Sequence, residues 1–372
     1  MVGKIWGAAL IVIVSVSAWM AAGQGVGAES SSVNYRALVS RPLLALLHTP
    51  EVHAELKLTV QQVADLEELF AKIDPTWLPS RNQPKDRQLQ VFDELEGQVQ
   101  QWLDGHVSAE QRKRLRQIEL QAQGSRMLLR PDVSAALKLT SVQLQQLGDL
   151  ATATDAAQMA VHQAMQKNED LAEPQKNFSA AAQKEQSAID EVLTDPQRQQ
   201  LAKALGSRFD TSKLRRTYPM APEFVKAEHW INSEPLTLAG LRGKVVLVHF
   251  YAFQCHNCQA NFEIYRRWHE EMTKKGVVVI GIQTPELESE RSLEAVKAAA
   301  AERKLQFPIL MDEETANWNA WGTTMWPTVY VVDRNGYIRQ WWQGELQWNG
   351  ATGDQTIEKV VDMALAEPYT SK

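Results

Sequence analysis

Cysteine is the scarcest informative residue in this sequence. The 372 residues include only two cysteines, Cys255 and Cys258, three positions apart. A protein stabilised by disulfides places its cysteines far apart, because closing long loops gives the larger stabilisation. So small a loop disfavours a structural disulfide. The pair is therefore expected to serve thiol chemistry or to bind a metal.

A basic excess is also missing. The chain has 39 Lys and Arg against 45 Asp and Glu, a formal net charge of -6. Proteins that bind nucleic acid neutralise phosphates with clustered basic residues, so nucleic acid is not an expected partner. The sequence has no phosphate-binding glycine loop, nucleotide fingerprint or Ser-His-Asp spacing, and we predict no cofactor.

Long apolar runs are absent except near the start of the chain. An apolar run over residues 5–22 follows Lys4, and small or slender side chains stand at Val26 and Ala28. This order of charge, apolar run and small residues predicts a signal peptide over residues 1–28 and export to the periplasm. The run is also long enough to be borderline for a membrane span, so an uncleaved N-terminal anchor is the alternative. Membrane association is expected only in that case.

Glycine is rare between residues 31 and 206, where Gln, Ala, Leu, Glu and Lys predict helices throughout. This helical module is duplicated. The motif that begins at Pro50 returns at Pro131, an offset of 131 minus 50, or 81 residues. We place the two units at 41–123 and 124–206.

Each unit contains two motifs that predict the start of a helix. A Ser or Thr caps the helix, and a Gln three residues later reaches back to the cap amide, which is a capping box. The caps are Thr59, Ser108, Thr140 and Thr194, and the glutamines are Gln62, Gln111, Gln143 and Gln197. These Leu-Thr-x-x-Gln motifs resemble those of the Spy and CpxP family of all-helical periplasmic chaperones and stress sensors. A capping box accounts for every residue of the motif without a function.

The composition changes after residues 207–221, which we interpret as a linker to a domain over 222–372. Two continuous β-branched runs, 244–250 and 277–282, are typical of buried parallel strands. A helix over 258–275, ended by Gly276, separates them. Downstream the patterns predict a helix over 289–304, a hairpin of strands 328–333 and 337–342, and a helix over 356–366.

The two cysteines stand where a redox pair is expected, after a buried strand and at the start of a helix. With two residues between them, the two sulfurs lie within one helical turn of each other, so a disulfide can form and reopen without unfolding the chain. The helix N-terminus stabilises a thiolate and lowers the pKa of the first thiol. Cys255 is therefore predicted to be the exposed nucleophile, and Cys258 the thiol that resolves the mixed disulfide.

Residues 241–248, Trp326-Pro327-Thr328 and 333–336 resemble thioredoxin-like redoxins of the TlpA type. Further stretches resemble the thioredoxin-like domain of DipZ and of NHL-repeat-linked relatives, namely 230–238, 284–286, 317–320 and 344–345. The resemblance implies an α/β thioredoxin-like fold, a mixed central sheet flanked by helices, behind an α-helical N-terminal region. It also implies thiol-disulfide exchange with protein clients outside the cytoplasm, with electrons often coming from a membrane thiol carrier of the CcdA or DsbD kind.

The same resemblance identifies Pro327 as the family's cis-proline, which would present the backbone of Trp326 to a peptide. His249 occupies the place where thioredoxins keep a buried acid. It is either a proton acceptor for Cys258 or a hydrogen-bonded core residue. His256, between the cysteines, either stabilises the Cys255 thiolate and makes the pair a better oxidant or is a plain surface residue.

Other uses of the cysteines are less well supported. A metal site with His249, His256 or His269 as added ligands lacks the second ligand pair that structural zinc requires. Peroxide reduction is disfavoured because Ala252 stands where peroxiredoxins need a Thr. A different class of hypothesis makes the protein a periplasmic chaperone or scaffold whose helical module binds clients, with an accessory redox domain. The direction of electron flow stays open.

Overall fold

The computed structural model describes residues 35–166, 169–210, 214, 218–367 and 369. The predicted signal peptide lies outside these residues. The chain forms two compact units, one containing the residues up to Thr59 together with 103–215, the other containing 60–102 together with 216–372. Within the described ranges, no helix combines the length and the apolar character that crossing a membrane requires.

The N-terminal region is helical, as predicted. Its helices are α1 (Leu43–Leu47), α2 (Pro50–Glu55), α3 (Val60–Ser80), α4 (Lys85–His106), α5 (Ala109–Gln123), α6 (Pro131–Ala136), α7 (Ser141–Gln166), α8 (Ala172–Val192) and α9 (Asp195–Leu205). Helix α3, and α4 as far as Trp102, belong to the second unit. In the first unit, a core that includes Leu128, Leu147 and Ile189 is buried between the helices.

The predicted capping boxes are confirmed at three helix starts, those of α5, α7 and α9. The motif glutamines also reach across to a neighbouring helix. Gln143 Nε2 donates to Val192 O at 2.8 Å and Gln197 Nε2 donates to Leu137 O at 3.2 Å. The two glutamine side chains hydrogen bond to each other at 2.9 Å. The motif therefore ties two helix N-termini together, which is a structural role.

The C-terminal region contains the predicted mixed sheet flanked by helices. The strands are β1 (Trp230–Ile231), β2 (Val245–Tyr251), β3 (Val277–Gln283), β4 (Ile309–Met311), β5 (Thr328–Val332) and β6 (Ile338–Gln343). They lie in the order β1-β4-β3-β2-β5-β6. Strands β2, β3 and β4 are parallel, whereas the other pairings are antiparallel. The helices are α10 (His256–Met272), α11 (Leu293–Glu302), α12 (Ala316–Ala320) and α13 (Gly353–Ala366).

Strand β2 is buried along its whole length, which explains its continuous apolar sequence. Val245, Leu247 and Tyr251 face a core shared with α10 and α13. Val248 and Phe250 belong to a second core on the opposite face. Because β2 is central, the loop that follows it is held on a rigid support.

Three features differ from the sequence-based expectation. Strands β1 and β4 were not predicted. The helix expected over 289–304 begins as a 3-10 turn, and α11 starts only after Ser292, whose Oγ accepts the Ala295 N–H at 3.3 Å. Residues 60–102, which the sequence assigns to the helical module, pack with the C-terminal domain, and Leu78 is part of its second core.

Candidate active site

Two loops that carry predicted site residues leave the sheet at the same end as a third loop, the one that follows β3. Cys255 follows the end of β2, and Pro327 directly precedes β5. Strand β2 pairs with β5 so that Phe250 lies opposite Thr328, and it pairs with β3 so that Tyr251 lies beside Gln283. The segment after β2, the segment after β3 and the segment before β5 therefore leave the sheet at the same edge.

The two cysteines carry free thiols and differ sharply in exposure. Cys255 is partly exposed and is the N-cap of α10, with extended backbone angles of φ -64° and ψ 118°. Cys258 lies one turn into the helix and is fully buried. Its backbone N–H donates to Cys255 O at 3.1 Å. An incoming disulfide can therefore reach Cys255 first.

The pKa values of the two thiols are shifted in opposite directions from that of an ordinary cysteine. A hydrogen bond from the Cys258 thiol lowers the pKa of Cys255 to about 7. Burial opposes this decrease, as does the nearby Glu286 carboxylate, while backbone N–H groups at the start of α10 support it. Burial raises the pKa of Cys258 far above its ordinary value, and the hydrogen bond to Cys255 raises it further. Near neutrality the pair consists of a partly ionised outer thiol and a protonated inner one.

The Trp326–Pro327 peptide bond is cis, as the resemblance predicts. The Trp326 ring stacks on Trp318 of α12 with ring centroids 4.1 Å apart. Its indole Nε1 donates to Thr284 O at 3.2 Å. Trp326 and Cys255 both pack against the edge of the same core. The tryptophan therefore links the loop before β5 to the loop after β3 and to α12.

His249 is completely buried among aromatic rings. Its ring stacks on Tyr265 at 4.0 Å, with the edge of Phe307 at 4.8 Å. Neither ring nitrogen has a hydrogen-bond partner among the described residues, so it is not the hydrogen-bonded core residue of the second interpretation. Burial lowers the pKa of His249 to about 3, which keeps the ring neutral near pH 7.

His256 is the first residue of α10 and is exposed beside Cys255. His269 lies near the end of the same helix, with its ring edge on Phe307 at 6.2 Å. In the parts of the chain that the structure describes, no three His, Cys, Asp or Glu side chains come together as a metal site.

Glu290 is a site residue that sequence reasoning missed. It is completely buried, and its carboxylate accepts three backbone hydrogen bonds, from Gln254 at 2.8 Å, Glu286 at 2.7 Å and Leu287 at 2.9 Å. Gln254 immediately precedes Cys255. Residues 286, 288 and 290 are all glutamates, and no feature of the sequence indicates which of them is buried.

Comparisons with known proteins find similarity in the C-terminal half of the chain. Residues 219–341 match the AhpC/TSA family. The chain is 34% identical over 132 residues to Protein DipZ of Mycobacterium bovis, covering 35% of this chain and 19% of DipZ. It is 28% identical over 155 residues to the thiol-disulfide oxidoreductase YkuV of Bacillus subtilis, covering 42% of this chain and 98% of YkuV.

Among solved structures, a thiol-disulfide isomerase from Corynebacterium glutamicum aligns with a TM-score of 0.34 and 25% identity, covering 40% of this chain and 98% of that one. The chain spans only about a fifth of the length of DipZ. The C-terminal half therefore carries an AhpC/TSA, thioredoxin-like domain that resembles DipZ and thiol-disulfide oxidoreductases.

Proposed function

We propose that this protein is an exported thiol-disulfide oxidoreductase that acts on protein disulfides, with Cys255 as nucleophile and Cys258 as resolving thiol. The observation that carries the proposal is the pairing of a partly exposed thiol, whose pKa is lowered to about 7, with a buried thiol that hydrogen bonds to it. Partial ionisation near neutrality favours attack on a disulfide, because the thiolate is the nucleophile.

The exchange proceeds in two steps. The Cys255 thiolate attacks one sulfur of the client disulfide, the client S–S bond breaks, and the departing client sulfur leaves as a thiolate. Cys258 then transfers its proton to the released client thiolate and attacks the Cys255 sulfur, which releases the second client sulfur as a thiolate that takes a proton from water. The client gains two electrons and the pair becomes a Cys255–Cys258 disulfide. The reverse sequence oxidises a client dithiol.

The client is expected to dock beside Trp326 and Pro327. Two exposed apolar side chains lie on the loops at this edge of the sheet. Met325 directly precedes Trp326 and is 45% exposed, and Leu287, on the loop after β3, is 51% exposed. Apolar side chains of this size suit the chain around a client cysteine better than a small thiol such as glutathione. We therefore infer that the clients are proteins.

Export and electron supply complete the proposal. Lys4 and the apolar run that follows it support export, with periplasmic chemistry outside the reducing cytoplasm. A protein that reduces disulfides there needs its dithiol regenerated, and a membrane thiol carrier of the CcdA or DsbD kind is the class of partner we propose.

Turnover of insulin disulfides tests the function. We expect the full chain to catalyse insulin reduction with a dithiol as electron source, and Cys255→Ser to abolish it. Cys258→Ser should accumulate a mixed disulfide with insulin at Cys255. Activity retained in Cys255→Ser would overturn the proposal, as would consumption of peroxide without any disulfide reduction.

A further inference from the structure

The helical hairpin formed by α3 and α4 is packed into the redox domain. Leu78 near the end of α3 is buried in the second core together with Phe224 and Trp321. One turn earlier in α3, Asp74 accepts the Met220 backbone N–H at 2.6 Å. The family match begins at residue 219, so this hairpin comes from outside the matched domain.

Arg81, at the end of α3, makes the most specific contacts of the hairpin. Its Nη2 donates to three groups, Trp321 O at 3.1 Å, Gly322 O at 2.8 Å and the Tyr330 hydroxyl at 2.7 Å. The guanidinium also lies over the rings of Tyr330 and Trp341, at 5.8 and 5.4 Å from their centroids. A planar group held on several sides has little freedom to move.

Gly322 shows how closely the hairpin approaches. Its backbone has a φ of +56°, and a Cβ built there would stand 2.7 Å from the Pro79 Cα. Asn82 Nδ2 donates to the same Gly322 carbonyl at 2.6 Å. Two side chains of the hairpin therefore hold one carbonyl, and only glycine permits the approach.

The segment held in this way leads directly to the site. Trp318 lies just before it and stacks on Trp326, while Tyr330 lies just after Pro327 on β5. We propose that Arg81 is a positioning residue of the redox site, through which the α3–α4 hairpin fixes the 318–330 segment and with it the place where a client docks. The inference rests on the proposed function, because it concerns the client-binding side of that site.

The test uses the full chain with Arg81→Lys, Asn82→Ala and, as a matched control, Arg87→Lys. Arg87 lies on the same hairpin, but its side chain is exposed, and so are its partners Gln90 and Glu94. We expect Arg81→Lys to raise the KM for insulin about fivefold, the order of one net hydrogen bond, with kcat within about twofold. Asn82→Ala should raise the KM less, and Arg87→Lys should leave it unchanged.

Amide hydrogen exchange supplies a readout that does not depend on activity. Exchange should accelerate within 321–330 in Arg81→Lys and not elsewhere in the sheet. The inference fails if Arg81→Lys and Asn82→Ala match Arg87→Lys in KM, or if exchange accelerates across the whole domain with no change in KM. If Arg81→Lys does not fold, the KM and the amide exchange of Asn82→Ala test the inference instead. If the wild-type chain does not reduce insulin, the proposed function is wrong. Amide exchange in Arg81→Lys then still tests whether Arg81 fixes the 318–330 segment.

Discussion

The buried carboxylate of Glu290 accepts a 2.8 Å hydrogen bond from the backbone N–H of Gln254, the residue directly before Cys255. The other carboxylate oxygen accepts the N–H groups of Glu286 and Leu287. One side chain thus joins the loop after β3 to the start of the redox motif. Because a buried carboxylate needs such partners, its loss disturbs both loops together.

Replacement of Glu290 by Gln should destabilise the protein. The Gln amide nitrogen cannot accept the backbone N–H that faces it, so at least one buried donor loses its partner, at a cost of about 1–3 kcal/mol. Denaturant unfolding measures the change. Glu288→Gln is the matched control, because the Glu288 side chain is 90% exposed on the same loop. Equal stability of the two variants would contradict the structural role of Glu290.

The reactivity of Cys255 should follow a pKa of about 7. Because this pKa lies below that of an ordinary thiol, the thiolate predominates above pH 7 and is lost below it. At pH 6 alkylation of the reduced protein should run about tenfold below its plateau rate. In Cys258→Ala the pKa should rise, since the hydrogen bond from the Cys258 thiol is the largest cause that lowers it. If the pH dependence of Cys255 alkylation is the same in Cys258→Ala as in the wild type, the hydrogen bond from Cys258 does not lower the pKa of Cys255.

His249 is expected to contribute little as a base. A ring whose pKa is about 3 holds almost no proton near neutrality and is a poor acceptor for the Cys258 proton. We expect His249→Leu to reduce stability, because a buried ring is lost, while resolution of a mixed disulfide stays within about twofold. Rapid-mixing kinetics measure that step. A tenfold slower resolution in the folded variant would instead establish a catalytic histidine.

His256 is the residue expected to tune the redox potential. A cationic imidazole beside Cys255 stabilises the thiolate and hence the reduced pair, so His256→Ala should be the weaker oxidant. We expect the potential to fall by about 10–30 mV, on a scale where 30 mV is about 1.4 kcal/mol. Equilibration with glutathione measures it. An unmoved potential would leave His256 as a surface residue.

The sequence predicted those elements of the fold that are set by the pattern of apolar residues within a short stretch of chain. Burial and periodicity predicted strands β2 and β3 and the helix between them. That βαβ unit puts the cysteines after a buried strand, at the start of a helix. Strand β4 was missed because Ile309–Met311 is too short to form a pattern.

The contacts of Glu290 and Arg81 were missed for a different reason. Arg81 and Gly322 are 241 positions apart, and Glu290 and Gln254 are 36 apart. A buried, fully hydrogen-bonded carboxylate has no sequence pattern that separates it from exposed neighbours, and neither does a docked arginine. Only the tertiary structure brings such groups together.

The most direct test of the central claim is a redox titration of the full chain, followed by the mass of the alkylated cysteines. We predict one reversible two-electron transition between Cys255 and Cys258, with a potential between roughly -270 mV, typical of thioredoxin, and about -120 mV, typical of a strong oxidant. A value near the lower limit favours a reductase, and one near the upper limit an oxidase. A pair that shows no reversible transition in this range would contradict a redox role for these cysteines.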